Sequence, residues 1–459
     1  RSAVSSGMAD PALRMAVEDT YEECLALVPQ PPTRKACEDG SPDTSANRSD
    51  TVERRLRLLV VSSDKFPPTR VDVAVLFGEE MAGRGHKIDW LLQSEAPCDR
   101  AYEKTWGGGL AYVGPTCPDT SLSSRFRKHW RSIRHDFRII GRARRGNYDV
   151  IEVKDKFIAG LFGLIAARLT RTKFIYWLSW PYPEEYLERA RDKSARYPVL
   201  YRIRGWTFSL LLYRLLLPAA DRVFLQSEQM RADVVAKGCP ADKTVVVPMG
   251  VKLSAFDEVR NAPARRAIPE SDRCFLYLGT LVQVRRLDFL IRVLARVREK
   301  VGDAKLYLVG AGEDDTDEDL LHTEAERLGL QSSVIFTGRL PWSEAQRYVR
   351  DADVCVSPFY PTPILNSTSP TKLVEYMAMG RPVVANDHPE QERIIRESGA
   401  GYCVPWNEES FADAIASLLL DSDSAGKMGR KGPAYVAQHR SYNVIADLVE
   451  NELLDIAGA

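Results

Sequence analysis

The feature that most constrains this chain is a rhythm of short apolar runs and helical segments that begins near residue 56 and restarts near residue 274. The first series opens on "RLRLLVVSS", an unbroken apolar run that suits a parallel strand covered on both faces. It continues through a helix over 73–84, a strand over 87–93, "YDVIEVK", a helix over 157–169, "KFIYWLS", a long helical region, "RVFLQS" and "TVVVPMG". The second series opens on "CFLYLGT" (274–280). It runs through a helix over 287–300, "KLYLVG", a helix over 317–328, "VIFTG", a helix over 343–350, "VCVSP", a short helix and "PVVAN", with helices near 389–397 and 409–420. Alternation of this kind builds parallel sheets, because each strand needs a crossover to return in the same direction. Two such series predict an α/β protein of two doubly wound domains, with ligands at the C-terminal ends of the strands.

The expected layout is a first domain over 56–246, a second over 247–430, and a closing segment over 431–459 whose helix crosses back to the first domain. Residues 1–55, rich in Asp, Glu, Pro, Ser and Thr, look like a disordered or loosely attached tail. A hydrophobic content of 44% and a charged content of 27% are those of a globular protein, and the formal net charge of +0 advertises no nucleic acid. No apolar run reaches the roughly 20 residues that span a bilayer, and no signal peptide heads the chain. The 8 cysteines are scattered without a C-x-x-C pair, which suggests reduced thiols in a cytoplasmic protein and no metal site.

One stretch asks for an anion. Residues 369–380 read "SPTKLVEYMAMG": Ser369 can cap a first turn, Pro370 suits the first helical position, and Gly380 suits the left-handed residue that ends a helix. "VVA" then looks like a buried strand. A helix start wedged between buried strands can hold an anion with its N–H groups and dipole, which makes Ser369, Pro370, Thr371, Lys372 and Leu373 candidate contacts. Arg285 and Arg286 precede a helix, an unfavourable place for cations unless an anion sits there. Gly279 and Gly310 stand at strand exits, where a residue without Cβ allows close approach. Asp64 and Asp72, in "DKFPPTRVD", are the carboxylates nearest the C-terminal end of strand one; they are candidate catalytic groups or solvated loop charges. His86 suits a helix-to-strand turn, and His388 could face the cleft.

Five blocks of the second half resemble, in order, the nucleotide-sugar domain of the retaining glycosyltransferases of family four. They are "VPMGVKLSAF" (247–256), "YLGTLVQVRRLDFLI" (277–291), "LYLVGAGED" (306–314), "VIFTGRLP" (334–341) and "SPTKLVEYMAMGRPVVAND" (369–387). In residues 56–246 the likeness rests on strand order and "GEEMAGRGHKIDWL". The resemblance implies two Rossmann-like domains facing a cleft, the GT-B fold. It also implies that Glu375 contacts the ribose hydroxyls of a nucleotide. The family's companion glutamate, which contacts the donor sugar, falls here on Ser367. Without that carboxylate, double displacement through this residue is closed, and front-face transfer is implied, with the leaving phosphate helping to deprotonate the acceptor. The family's diphosphate-clamping pair aligns with Thr280 and Arg285, beside Arg286; an Arg holds phosphate oxygens bidentately. Arg339, after "FTG", either lines the base pocket or is a surface charge. The family's first-domain His falls near Ser179, and its Gly-rich loop after strand one is replaced by residues 64–72, so acceptor handling differs from that of better-known members.

Two stretches concentrate positive charge among aromatic and aliphatic residues: "SRFRKHWRSIRHDFRIIGRARRG" (124–146) and "RYPVLYRIRGWTFSLLLYRLLLP" (196–218). They are either solvated helix faces or surfaces that dock on anionic lipid. The expected activity is transfer of a hexose-type sugar from a UDP- or GDP-linked donor to a lipid-linked or polysaccharide hydroxyl, with no further cofactor, by an enzyme peripheral to the inner face of the membrane. The alternatives are a non-catalytic partner of the same fold and a nucleotide-sugar epimerase.

Overall fold

The computed structural model describes residues 54–458 apart from 118–121, 193–196, 263–264 and 314. All but Arg54 and Arg55 of the expected tail lies outside these residues. The first sheet contains β1 (Arg57–Phe66), β2 (Lys87–Ser94), β3 (Tyr102–Trp106), β4 (Gly109–Gly114), β5 (Val150–Lys154), β6 (Lys173–Leu178), β7 (Arg222–Leu225) and β8 (Thr244–Val246), in the order β3-β4-β2-β1-β5-β6-β7-β8. Its pairings are parallel except for the β3–β4 hairpin. That hairpin escapes the sequence reading because "YEKTW" is an exposed edge strand with no apolar run. The expected helix over 73–84 is also less regular than its periodicity suggests: a turn of α-helix (Val71–Ala74) passes into a π-helical stretch (Leu76–Met81).

The second sheet is parallel throughout: β9 (Cys274–Leu278), β10 (Lys305–Val309), β11 (Val334–Phe336), β12 (Val354–Ser357), β13 (Val383–Asn386) and β14 (Gly401–Val404), ordered β11-β10-β9-β12-β13-β14. Strand alternation divides each sheet's residues between two cores. In the first domain Leu59, Val61, Ile151 and Phe174 face the Phe157–Thr170 helix, while Leu58, Val60, Trp90 and Trp177 face the segment 71–81. The closing helix, Tyr442–Ala457, buries Tyr442, Ile445, Val449 and Leu453 in that second core, so the chain end returns to the first sheet. His86 helps to dock it. His86 Nδ1 accepts from the Leu56 amide at 3.1 Å, and Nε2 lies 2.7 Å from Glu450.

The chain passes between the sheets twice, and the two passages pair with each other. Val251 N donates to Arg440 O at 2.9 Å, and Tyr442 N donates to Val251 O at 3.1 Å. Residues beyond the C-terminal strand ends of the two sheets touch: Ser227 Oγ, after β7, donates to Ser367 O, after β12, at 2.6 Å. In the second sheet the order reverses at β9 and β12, and in the first at β1 and β5. Loops leaving such a reversal point diverge to opposite faces and open a crevice.

Candidate active site

At the reversal point of the second sheet, β9 ends on Leu278, with Gly279 just beyond it, and the chain after β12 leads to the Thr371–Ala378 helix. Tyr376 fastens this helix to β9, its hydroxyl accepting from the Leu278 amide at 2.8 Å. Gly380 closes the helix in the left-handed conformation (φ 75°), as its sequence position suggests. The start differs from expectation. Pro370 is the cap residue and not the first helical residue, and Ser369 does not cap: its Oγ accepts from the Met249 amide, 3.0 Å away in the interdomain passage. Among the described residues the Lys372 and Leu373 amides of the first turn have no backbone partner.

Around that helix start the sequence-predicted donor residues divide. Lys372 Nζ lies 3.2 Å from Glu375 Oε2, so the cation and the carboxylate share one mouth. Arg285 joins them from the turn after β9, donating to Tyr277 Oη at 2.9 Å, and a Cβ on Gly279 would meet both Tyr277 Oη and the Lys372 stem within 3.5 Å. Gly310 lies against Gly279, where a Cβ would stand 2.1 Å from the Gly279 carbonyl, so no other residue fits. Thr280 is half-buried at the same strand exit. Arg286 turns away: left-handed (φ 53°) and exposed, it lies 3.5 Å from Asp288 and over the Tyr360 ring. Arg339 is exposed on the loop after β11 and makes no ion pair among the described residues. The sequence reading missed Tyr277 and Tyr376, because buried strand and helix tyrosines look like core.

Ser367 is buried and belongs to a contact between the domains. Its Oγ donates to Asp233 Oδ2 at 2.5 Å, and its carbonyl accepts from Ser227 Oγ at 2.6 Å. Both partners come from the first domain, where Ser227 caps the Glu228–Ala236 helix. His388 is also buried rather than exposed to the cleft. It caps the Pro389–Ser398 helix through Nδ1, so Nε2 carries the proton and donates to Leu365 O at 2.9 Å.

At the first sheet's mouth the two candidate carboxylates part company. Asp72 is no loop charge. It is 1% exposed in the Val71–Ala74 helix, and its oxygens take Arg70 Nε at 3.1 Å, Arg70 Nη2 at 2.9 Å and the Lys154 ammonium. Burial alone would raise its pKa, but Lys154 and Arg70 hold it well below the usual carboxylate range. An ionised carboxylate with both oxygens engaged is a poor base, so the structure makes Asp72 an anchor and corrects the catalytic expectation. Asp64 is half-buried; burial raises its pKa, while its oxygens accept from the Lys65 and Arg70 amides at 3.1 and 3.2 Å. Ser179, at the place of the family's histidine, is buried and locked onto Asp155, whose carboxylate accepts from both its amide (2.8 Å) and its hydroxyl.

Residues 272–421 match the family model described as "Glycosyl transferases group 1", and residues 72–250 match that of the "Glycosyl transferase 4-like domain". The chain belongs to the family-four glycosyltransferases of GT-B fold. It is 25% identical to the alpha-monoglucosyldiacylglycerol synthase of Streptococcus pneumoniae over 61% of this chain and 60% of that protein. It is 32% identical to the phosphatidyl-myo-inositol mannosyltransferase of Mycobacterium leprae over 38% of this chain and 44% of that protein. The match thus spans about half the length of these relatives. A sucrose-phosphate synthase from Thermosynechococcus elongatus shares the fold: TM-score 0.68 at 19% identity, covering 88% of this chain and 100% of that one.

Proposed function

We propose that this chain transfers a sugar, with retention, from a nucleoside diphosphate donor to a hydroxyl on a lipid-linked or polysaccharide acceptor. One observation carries the reading. Glu375, Lys372, Arg285 and two unpaired helix amides meet where the second sheet's order reverses. The amides, the helix dipole and the two cations suit the diphosphate, and Glu375 suits the ribose diol. Catalysis is then positioning and stabilisation of the charge that develops on the departing diphosphate. Ser367 offers no carboxylate for a covalent intermediate, and Asp72 is committed to its ion pairs, so the leaving phosphate is the base this reading supplies for the acceptor proton. Transfer on the front face follows. Gly279, Thr280, Gly310 and the segment 369–373 shape the pocket, and Arg339 stands at its base side.

The names of the two relatives, a diacylglycerol glycolipid synthase and a phosphatidylinositol mannosyltransferase, support a lipid acceptor. No helix among the described residues is long and apolar enough to cross a membrane. The Pro198–Leu211 helix nevertheless exposes Val199 (71%), Ile203 (59%), Trp206 (71%) and Leu210 (63%). Their spacing of four, three and four residues places them on one stripe, with Arg202 and Arg214 beside it. Phe126, Trp130 and Phe137 are exposed in the other basic stretch. Such faces suit peripheral docking on anionic lipid.

The test is a thermal-shift series with UDP, GDP, ADP and their sugar conjugates on the wild type and Glu375→Ala. A ligand at about 100 times its Kd stabilises the protein by about 2.7 kcal/mol. The expected result is one base that stabilises the wild type and loses most of that effect in the variant. If no nucleotide stabilises the wild type, the donor assignment falls, and a non-catalytic partner becomes the better account.

A further inference from the structure

Arg285 stands apart from the other cations near the two sheet mouths. Arg70 is bound to Asp72, Lys372 lies 3.2 Å from Glu375, and Arg286 lies 3.5 Å from Asp288. Arg285 has no ion-pair partner among the described residues, and its side chain is held by a neutral group: Nη1 donates to the Tyr277 hydroxyl at 2.9 Å. A carboxylate in place of that phenol would fix the guanidinium too, but it would neutralise the charge and compete with an incoming anion. A phenol sets the direction and leaves the positive charge to a ligand.

Tyr277 is placed for this. It is 2% exposed and belongs to the apolar cluster that contains Phe275, Leu281, Leu287 and Leu308. A phenylalanine would fill that cluster as well, so packing does not account for the oxygen. The hydroxyl makes no other hydrogen bond among the described residues. It reaches the mouth past Gly279, where a Cβ would stand 3.0 Å from Oη and 3.5 Å from Lys372 Cε. The backbone of Arg285 is held separately. Its turn, Gln283–Arg285, is pinned to the Asp315–Arg327 helix through Gln283, whose amide donates to Asp317 Oδ1 at 3.3 Å and whose Nε2 donates to Thr316 O at 3.1 Å. That turn is exposed, with Val284 at 72%, so a long arginine side chain on it would otherwise sample many rotamers.

We infer that Tyr277 is a positioning residue for the donor: its hydroxyl aims Arg285 at the diphosphate. This deepens the donor side of the transferase reading and rests on it. Thr280 places no second cation at this strand exit, and Arg286 turns away, so the direction of Arg285 decides how well the charge on the departing diphosphate is met.

Wild type, Tyr277→Phe, Arg285→Ala and the double variant are titrated calorimetrically with UDP, GDP and ADP, and with the bare nucleoside of whichever base binds. The expected result is at least about fivefold weaker diphosphate binding in Tyr277→Phe, with nucleoside binding unchanged within about twofold. The double variant should bind no more weakly than Arg285→Ala alone, because the hydroxyl acts through that arginine. Gly279→Ala presses a Cβ against the hydroxyl and gives a second route to the same loss should Tyr277→Phe fold poorly. Equal losses for nucleoside and diphosphate would reduce Tyr277 to packing and overturn the inference. So would diphosphate affinity equal to wild type, or losses that add in the double variant. A wild type that binds no nucleoside diphosphate fails the donor reading itself, and this inference falls with it.

Discussion

Replacing Glu152 by Gln tests the electrostatics of the first sheet quantitatively. Glu152 lies in β5, is 1% exposed, and neither carboxylate oxygen has a hydrogen-bond partner among the described residues. Burial, with Asp72 adding to it and Lys154 opposing, pushes its pKa from 4.5 up to about 8. The folded protein therefore keeps this proton at pH values where the unfolded chain has lost it. Because the folded state binds more protons, stability falls as pH rises between about 4.5 and about 8 and is flat outside that window. Each pH step is worth about 1.4 kcal/mol, so the cost is of order 3 kcal/mol by pH 7 and about 5 kcal/mol by pH 8. Gln cannot ionise and removes the slope. Urea unfolding of wild type and Glu152→Gln at pH 5, 6, 7 and 8 should give curves that diverge with pH, the variant gaining steadily. Parallel pH profiles would refute the claim that this carboxyl is buried and neutral.

Three further outcomes follow from the contacts. Ser367→Ala and Asp233→Ala each remove a 2.5 Å charge-assisted bond across the cleft, worth about 1.5–3 kcal/mol; in a double-mutant cycle of kcat the double variant should match the worse single variant, and additive losses would show the two residues act separately. Lys154→Met leaves Asp72 buried with Arg70 as its remaining cation, so about 3–5 kcal/mol of unfolding free energy should be lost; a denaturation midpoint unchanged from wild type would contradict this. Trp206→Ser with Leu210→Ser should weaken binding to phosphatidylserine vesicles at least tenfold, since each apolar side chain buried in lipid is worth about 1.5–3 kcal/mol; sedimentation equal to wild type would remove this helix from the membrane reading.

How much of this was legible in the sequence depended on whether a signal is local. The parallel strands are buried on both faces, so "RLLVVSS" and "CFLYL" announce themselves as apolar runs, and Gly380 marks a helix end because only the local backbone decides it. The β3–β4 hairpin carries no such mark: an edge strand needs only one partner and here shows water mostly polar side chains. Asp72 illustrates the stronger limit. In sequence it is a carboxylate in a Pro- and Arg-containing loop; its character comes from Lys154, 82 positions away. Ser367 goes further, since its hydroxyl is tied to a residue 134 positions earlier, in the other domain. Read alone, Ser367 is a lost glutamate. In the fold its hydroxyl donates to Asp233 on the opposing domain, so the residue serves as an interdomain contact that no local pattern in the sequence announces.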